Sequence, residues 1–238
     1  MELSRREQEV YDEAVKILLE TEEGTNLNVS HFGKLVEEYG KLLYRLKQYR
    51  HEEASSEIRN TEIPDEWGET HFDVLTGIFN KRYLYETLDR RLAEMNRQGD
   101  VLSILAVDLD CFKRYNDIYG SSAGDDCLRT IAEMLKFCLF REEDFVARTD
   151  GEEFMAVLPK TPESGARLVA DRMLEEVRNL QIPHSGNTAA DHVTISVGLV
   201  TGKKEGAEWT ASDFFRRAEG ALSQAKSRGR NRYAFLGL

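Results

Sequence analysis

Two pairs of carboxylates are the residues of this chain whose type and spacing best fit catalytic chemistry. Asp108 and Asp110 end a run of apolar residues, and Glu152 and Glu153 directly follow an Asp-Gly dipeptide. Carboxylate oxygens are preferred ligands of Mg²⁺, and two such ions can hold the attacking and departing oxygens of a phosphoryl transfer. If the apolar run is a strand that pairs beside a hairpin at the dipeptide, Asp108 and Glu152 converge. Taken alone, acidic residues near turns are more often solvated than metal-bound.

Polar residues that suit a nucleotide follow the first acidic pair. Lys113, Asn116 and Asp117 place a cation, an amide and a carboxylate within one or two helical turns of it, and Gly124 leads to Asp125. An asparagine with a nearby aspartate can read the edge of guanine, because the amide meets its acceptors and the carboxylate accepts its two adjacent N–H groups. On spacing alone, Asp125 is more simply the N-cap of a helix.

A basic cluster near the C-terminus, Lys226-Ser-Arg-Gly-Arg-Asn-Arg232, is the third feature of this kind. It lies at the predicted end of a helix, where cations complement the negative end of the helix dipole. Considered alone, the cluster is better explained by that complementation than by ligand binding.

Alternating helices and strands are predicted to position these residues. Apolar periodicity predicts helices from about Lys81 to Arg97, Gly124 to Leu139, Glu163 to Leu180 and Ala211 to Ser227, and strands at Leu102 to Val107, Phe145 to Thr149, Phe154 to Leu158, Val193 to Val200 and Tyr233 to Leu236. Asp150-Gly151 favours a two-residue type I′ hairpin. The predicted fold class is α+β, with helices packed on a mainly antiparallel sheet.

Residues 1–70 differ from the remainder in composition. They carry 17 acidic and 9 basic side chains, against 26 and 23 beyond them. Two helices are predicted there, and in the second Leu35, Tyr39, Leu42, Leu46 and Tyr49 alternate steps of four and three, as in a coiled-coil seam. The seam lasts about two heptads, so a dimerising stalk and packing on the first helix both remain open. The polar stretch from Glu52 to Thr70 predicts a boundary between an all-α segment, 1–70, and a domain, 71–238.

Overall composition excludes several classes of protein. The net charge of −11 argues against nucleic-acid binding, which needs a basic face. The sequence has no apolar run of membrane-spanning length and begins with charged residues, so we expect a cytoplasmic protein with no membrane span. Three cysteines are too few for a disulfide framework and predict reduced thiols.

The order of the motifs resembles the GGDEF family of diguanylate cyclases. The matching segments are Asp73-Val-Leu-Thr-Gly-Ile-Phe-Asn80, Asp108-Leu-Asp-Cys-Phe-Lys-Arg-Tyr-Asn116-Asp-Ile-Tyr-Gly120, Gly124-Asp125, Asp150-Gly-Glu-Glu-Phe154 and Ala225-Lys-Ser-Arg-Gly-Arg-Asn-Arg232. Five motifs in one order are far more specific than any one of them. The resemblance implies a sheet like that of nucleotide cyclases and polymerase palms, surrounded by helices, with the hairpin turn at the active site.

The resemblance also implies residue roles. Asp108 and Glu152, with the Leu109 carbonyl, are expected to bind two Mg²⁺ ions per active site, with Mn²⁺ as a possible substitute, and Glu153 to support catalysis. The expected triphosphate contacts are Lys113, Lys226, Arg230 and the main-chain N–H groups around Cys111 and Phe112. Asn116 and Asp125 match the family's guanine-reading pair, and the acid at position 125 favours GTP over ATP.

The implied reaction condenses two GTP molecules into cyclic di-GMP and releases two pyrophosphates. Each domain is expected to hold one GTP, so a homodimer is needed for catalysis. Cyclic di-GMP is also an expected inhibitor, because Arg141-Glu-Glu-Asp144 has the spacing of the family's RxxD inhibitory site, with Arg172 as a second arginine. A charged loop before a strand is the simpler explanation of an isolated Arg-x-x-Asp sequence.

Three positions depart from the family pattern, namely Asp150, Ser121 and Ser223. Asp150 replaces the first glycine of the pentapeptide, and its carboxylate should repel the α-phosphate unless Mg²⁺ or solvent offsets the repulsion. A catalytically inactive module that binds GTP or cyclic di-GMP and signals through protein contacts is therefore the alternative to an active cyclase.

Overall fold

The computed structural model describes residues 71–203 and 209–237. The predicted N-terminal helices, the coiled-coil seam and the boundary stretch lie outside the described residues. The helices are α1 (Lys81–Gln98), α2 (Phe112–Tyr119), α3 (Ser121–Phe137), α4 (Glu163–Asn179) and α5 (Ala211–Ser227). The strands are β1 (Phe79–Asn80), β2 (Val101–Leu109), β3 (Phe145–Asp150), β4 (Glu153–Pro159), β5 (Ile195–Lys203) and β6 (Tyr233–Gly237).

The strands form one six-stranded sheet in the order β1-β3-β4-β2-β5-β6. The pairs β3–β4, β4–β2 and β2–β5 are antiparallel, whereas the two edge pairs, β1–β3 and β5–β6, are parallel. The predicted α+β class with a mainly antiparallel sheet is confirmed. No helix within the described ranges has the length and apolar composition needed to cross a membrane.

Strand β2 is buried on both faces, which explains its nearly continuous apolar sequence. Side chains on one face of the strand, such as Leu105 and Val107, pack in a core with helices α3 and α4. Side chains on the other face, such as Ile104 and Ala106, pack in a core with α1 and α5. Asp108 therefore lies near the end of a strand that is packed against helices on both faces of the sheet.

Helix α5 approaches β5 closely because Gly198 has no side chain. A Cβ at this position would lie 2.1 Å from the Ala218 carbonyl oxygen and 2.3 Å from the Leu222 nitrogen. This close approach fixes the helix whose last turn carries Lys226.

The turn between β3 and β4 differs from the predicted type I′ hairpin. Asp150 is the last residue of β3 and pairs with Glu153, so Gly151 and Glu152 are the central residues. A type I′ turn needs a positive φ at both central residues, but only Gly151 has one, at 37°. The type I′ prediction is therefore wrong. The register also shifts between Arg148 and Asp150, as in a β-bulge.

Arg148 ties this turn to the start of the described chain. Its guanidinium donates to the Gly151 carbonyl at 2.8 Å and to the Asp73 carboxylate at 3.0 Å. Burial alone would raise the pKa of Asp73, but hydrogen bonds from Thr76 and Arg148 outweigh burial and hold that pKa below its usual value. The hairpin turn is therefore braced from outside the sheet.

The N-cap interpretation of Asp125 is also wrong. Helix α3 begins at Ser121, so Asp125 lies in its second turn and is exposed. The preceding short helix, α2, was not among the predicted elements.

Candidate active site

An open cleft of about 440 Å³ lies where the end of β2, the β3–β4 turn and the end of α5 meet. Most of the predicted site residues line it: Asp108, Leu109, Cys111, Phe112, Lys113, Glu152, Lys226 and Arg230. Residues that are more than a hundred positions apart in the sequence therefore share one surface, as the motif order predicts.

Asp108 is the most buried ionisable group that lines the cleft. Its side chain is 8% exposed, and its carboxylate accepts a hydrogen bond from the Lys226 ammonium at 2.7 Å. Burial, together with the nearby negative charges of Glu152 and Asp110, raises the pKa of Asp108 to about 6, although the Lys226 ammonium acts in the opposite direction. A carboxylate with these neighbours is electrostatically suited to a second cation.

The donor set at this point fits a hard divalent cation. Asp108 and Glu152 line the same cleft with Leu109, and the Leu109 N–H lies 3.4 Å from the Glu152 carbonyl oxygen. Among the residues that the structure describes, no cluster of three or more His, Cys, Asp or Glu side chains forms a ligand set. A metal here would therefore rely on two carboxylates together with main-chain and substrate oxygens, which is a common arrangement for Mg²⁺.

The start of α2 forms another side of the cleft. Cys111 precedes the helix in the left-handed conformation, with φ 59°. This turn directs the chain from β2 into α2, whose first N–H groups have no partner within the helix. Lys113 on α2 and Arg230 after α5 line the same cleft. The start of α2 and these two cations therefore line the same cleft.

The predicted base-reading residues, Asn116 on α2 and Asp125 on α3, are not among the residues that line this cleft. A Cβ on Gly124 would lie 1.9 Å from Asn116 Oδ1, so the amide packs directly against the α3 backbone next to Asp125. Asn116 Oδ1 is buried and has no hydrogen-bond partner among the described residues. Close packing against α3, rather than a hydrogen bond to this oxygen, therefore fixes the position of the amide.

Not every predicted residue lies in the cleft. Glu153 is exposed and pairs in register with Asp108, but it is not among the lining residues. Arg141 donates to the Pro159 carbonyl at 3.2 Å and to the Thr161 hydroxyl at 2.8 Å. The predicted inhibitory residues thus form a separate region around the loop between α3 and β3.

The loop between α3 and β3 also contacts Arg172. The Arg172 guanidinium donates to the Cys138 carbonyl at 2.7 Å and lies 3.8 Å from the centre of the Phe140 ring. Burial raises the pKa of Asp144, Arg141 lowers it, and one Asp144 carboxylate oxygen is buried without a hydrogen-bond partner. Arg141, Asp144 and Arg172 are therefore all associated with this loop.

Two lining residues, Arg114 and Thr188, were not predicted. Arg114 follows Lys113, so a second cation in the motif was the available signal. Thr188 lies in the loop before β5, and its hydroxyl is 3.7 Å from the Cys111 sulfur. It belongs to no motif, and only the tertiary fold brings it to the cleft.

Asp110 accepts hydrogen bonds that join several elements, a structural role that the sequence analysis did not predict. It is 1% exposed and accepts hydrogen bonds from the Thr194 hydroxyl at 2.7 Å, the Ser196 hydroxyl at 2.6 Å and the Asn231 N–H at 3.0 Å. These bonds join the end of β2 to β5 and to the loop after α5.

Comparison with known proteins agrees with this fold and cleft. Residues 70–232 match the family model described as diguanylate cyclase, GGDEF domain. The chain belongs to this family, whose enzymes generally use a divalent metal.

Individual relatives give the same family assignment. Diguanylate cyclase A of Treponema denticola is 38% identical over 166 residues, which are 68% of this chain and 43% of that protein. The response regulator PleD of Caulobacter vibrioides is 35% identical over 159 residues, 67% of this chain and 34% of its own length. The chain thus spans less than half the length of these curated relatives.

Solved structures of the family resemble the fold. Diguanylate cyclase SiaD of Pseudomonas aeruginosa, solved with its activator SiaC, matches with a TM-score of 0.63 and 33% identity, covering 87% of this chain and 78% of that one. The GGDEF domain of DgcB from Caulobacter crescentus, solved with c-di-GMP, matches with a TM-score of 0.60 and 29% identity, covering 70% and 93%. Both support the palm-like arrangement of sheet and helices.

Proposed function

We propose that this chain is an active diguanylate cyclase that condenses two GTP molecules into cyclic di-GMP. The observation that carries the proposal is the meeting of Asp108, Glu152, Lys226 and Arg230 in one cleft. Two carboxylates beside two cations match the needs of a metal-assisted attack on a triphosphate, because the metal and the phosphates require opposite charges side by side.

Each group in the cleft has a distinct role in this proposal. Bound Mg²⁺ supplies Lewis-acid stabilisation of the charge that develops on the oxygens at the α-phosphate. Asp108, Glu152 and the Leu109 carbonyl hold the metal, and Glu153 supports them from the exposed side. Lys113, Lys226, Arg230 and the N–H groups of Cys111 and Phe112 bind the triphosphate and fix its orientation.

Base recognition is assigned to the neighbouring pair of Asn116 and Asp125. The Asn116 amide and the Asp125 carboxylate have hydrogen-bond partners on guanine, whereas adenine leaves part of this set unpaired. The close packing of Asn116 against Gly124, the residue before Asp125, supports this assignment because it places the two residues near each other. GTP is accordingly the proposed substrate, and ATP a poor one.

Formation of two phosphodiester bonds requires a homodimer. One domain holds one GTP in this proposal, so the 3′-hydroxyl of each nucleotide attacks the α-phosphate of the nucleotide on the partner. Each attack forms one P–O bond, breaks the bond to pyrophosphate and releases the proton of the attacking hydroxyl group, for which Glu152 is the candidate acceptor. Two pyrophosphates leave for each cyclic di-GMP formed.

The proposal is tested by incubating the purified chain with GTP and Mg²⁺ and identifying the products by mass spectrometry. We expect cyclic di-GMP, and we expect Glu152→Ala to reduce its formation about a thousandfold, which corresponds to about 4 kcal/mol of barrier. Glu175→Ala, which removes an exposed glutamate on α4, is the matched control. Near-normal synthesis by Glu152→Ala contradicts the metal assignment.

An inactive module that binds GTP or cyclic di-GMP is the second candidate. Asp150 favours it, because this exposed carboxylate stands next to the turn that carries Glu152. The same incubation separates the two candidates, since nucleotide binding without any product supports the inactive module.

Product inhibition is proposed for the region around the loop between α3 and β3. Arg141 and Asp144 provide a cation and a partly buried carboxylate, and the Arg172 guanidinium contacts the same loop. Guanidinium groups bind phosphates and stack on bases, which are the two chemical parts of cyclic di-GMP.

A further inference from the structure

The loop that carries Arg230 has an uncommon backbone. Arg230 and Asn231 both have positive φ angles, 62° and 50°. Asparagine is often found in this left-handed region, but arginine is not, so the surrounding structure must hold the pair in place. Arg230 lines the cleft, and its direction depends on these two residues.

Asn231 is held by three hydrogen bonds. Its N–H donates to Asp110, and its side-chain and main-chain oxygens both accept from Arg178, at 2.7 Å and 2.9 Å. Arg178 lies in the last turn of α4 and is not among the residues that line the cleft. The planar guanidinium of Arg178 therefore makes a bidentate interaction with Asn231, and Arg178 does not line the cleft.

The bonds to Asn231 connect both sides of the cleft. Asp110 follows the strand that ends with Asp108 and Leu109, whereas Arg230 directly precedes Asn231. Asn231 is therefore one of the links between the carboxylate side and the cation side, alongside the ion pair of Lys226 with Asp108. Because Arg178 supplies two of the three bonds, it controls how firmly this connection is made.

We propose that Arg178 is a positioning residue for nucleotide binding, which acts through Asn231 to direct Arg230 toward the triphosphate. This inference rests on the proposed function for its ligand, GTP. It adds a residue on α4, outside the motifs, that determines affinity without touching the nucleotide.

The test measures calorimetric binding of 3′-deoxy-GTP with Mg²⁺, a nucleotide that lacks the attacking hydroxyl and so cannot be consumed. Arg178→Gln is expected to weaken binding about tenfold, because charge-assisted bonds to the loop are lost. Arg178→Lys should recover part of the loss, since it keeps the charge but not the planar pair of donors. Arg167→Gln is the matched control, since Arg167 lies on the same helix and contacts Tyr233 and Phe235 instead.

A double-mutant cycle with Arg230→Ala separates positioning from a general effect. If Arg178 acts through Arg230, the effects of Arg178→Gln and Arg230→Ala on affinity are strongly non-additive. Fully additive effects, or an affinity in Arg178→Gln equal to that of the original chain, overturn the inference.

Limited trypsin digestion of the nucleotide-free protein gives an independent measurement. Cleavage after Arg228, Arg230 and Arg232 should accelerate in Arg178→Gln and stay unchanged in Arg167→Gln. Unchanged cleavage in Arg178→Gln contradicts the positioning role even if the protein binds no nucleotide. Absence of 3′-deoxy-GTP binding by the original chain contradicts the proposed function, and the digestion still tests whether Arg178 holds the loop.

Discussion

At the scale of single residues, Asp108 is where folding and function make opposite demands. Its raised pKa means that the folded protein favours the protonated carboxyl, so the ionised form costs stability at neutral pH. That cost is absent well below the ordinary value of 3.8 and fully present above about 6. The charge that suits the carboxylate to metal binding therefore destabilises the empty site.

Asp108→Asn is expected to lose synthesis and gain stability. Removing the charge should raise the free energy of unfolding by about 1 to 2 kcal/mol at pH 7.5 in EDTA, less than the full shift because burying the polar asparagine amide also has a cost. Urea denaturation measures the difference, which should vanish near pH 4. Equal stability of the two proteins at pH 7.5 would show that Lys226 compensates the buried charge completely.

Asp150 allows its charge to be separated from its backbone conformation. It has no positive φ, so neither asparagine nor glycine distorts the end of β3. A carboxylate about 6 Å from a phosphate oxygen costs roughly 2 to 3 kcal/mol at an effective dielectric constant of 20, before screening. We expect Asp150→Asn and Asp150→Gly each to raise turnover about tenfold, measured as steady-state rates across a Mg²⁺ titration. If Asp150 instead helps to hold the metal, both variants will be slower and need more Mg²⁺.

At the scale of elements, the close contact between α2 and α3 sets the position of the Asn116 amide, which we propose to read the base. A methyl group at Gly124 would meet Asn116 Oδ1 at 1.9 Å and the Phe112 ring at 3.3 Å. Alanine favours a helix by about 1 kcal/mol over glycine, so any loss of function is not explained by a weaker helix.

Gly124→Ala is therefore expected to displace Asn116 and to weaken the binding of GTP more than the binding of ATP. A tenfold loss of preference for GTP is a reasonable expectation, since hydrogen bonds to the guanine edge are disturbed. Competition between the two nucleotides, followed by mass spectrometry, measures the preference. Gly220→Ala in α5 is the control, because its added methyl meets only the end of the Leu236 side chain, at 3.3 Å. An unchanged preference would contradict the role of Asn116.

The loop between α3 and β3 is the element to test for product inhibition. Arg141→Ala should weaken cyclic di-GMP binding by about 2 to 3 kcal/mol through lost charge-assisted hydrogen bonds. Because Arg141 also bonds to the end of β4, Asp144→Asn serves as a companion variant that leaves those bonds in place. Calorimetry with unchanged affinity in both variants would exclude this site.

The elements that sequence predicted well are those with a long apolar period, such as α1 and β2. The β3–β4 turn was misassigned because Asp-Gly favours a type I′ turn locally, whereas the bulge and the Arg148 bonds fix a different one. Thr188 and Arg178 gave no local signal, because their contacts join residues 77 and 53 positions apart. The order of the motifs thus predicts most residues that line the cleft. It does not predict Thr188, which also lines the cleft, or Arg178, which contacts the loop after α5.

At the scale of the whole molecule, the proposed synthesis requires two copies of the chain to meet. Specific activity should therefore rise with protein concentration until the dimer is saturated, while the affinity for 3′-deoxy-GTP stays constant. Initial rates over a hundredfold dilution series, compared with sedimentation of the same samples, measure this dependence. Constant specific activity under conditions where the chain sediments as a monomer would contradict a reaction shared between two subunits.

The central place of β2 in the sheet has a consequence for the lifetime of the cleft. Its amide hydrogens are enclosed by β4 and β5, so they should exchange with solvent only when the whole domain opens. Edge strand β6, which follows Arg230, can open locally and close again without disturbing β2. Asp108 and Leu109 thus belong to the strand whose main chain should be the last to exchange, whereas β6 can exchange without unfolding of the domain.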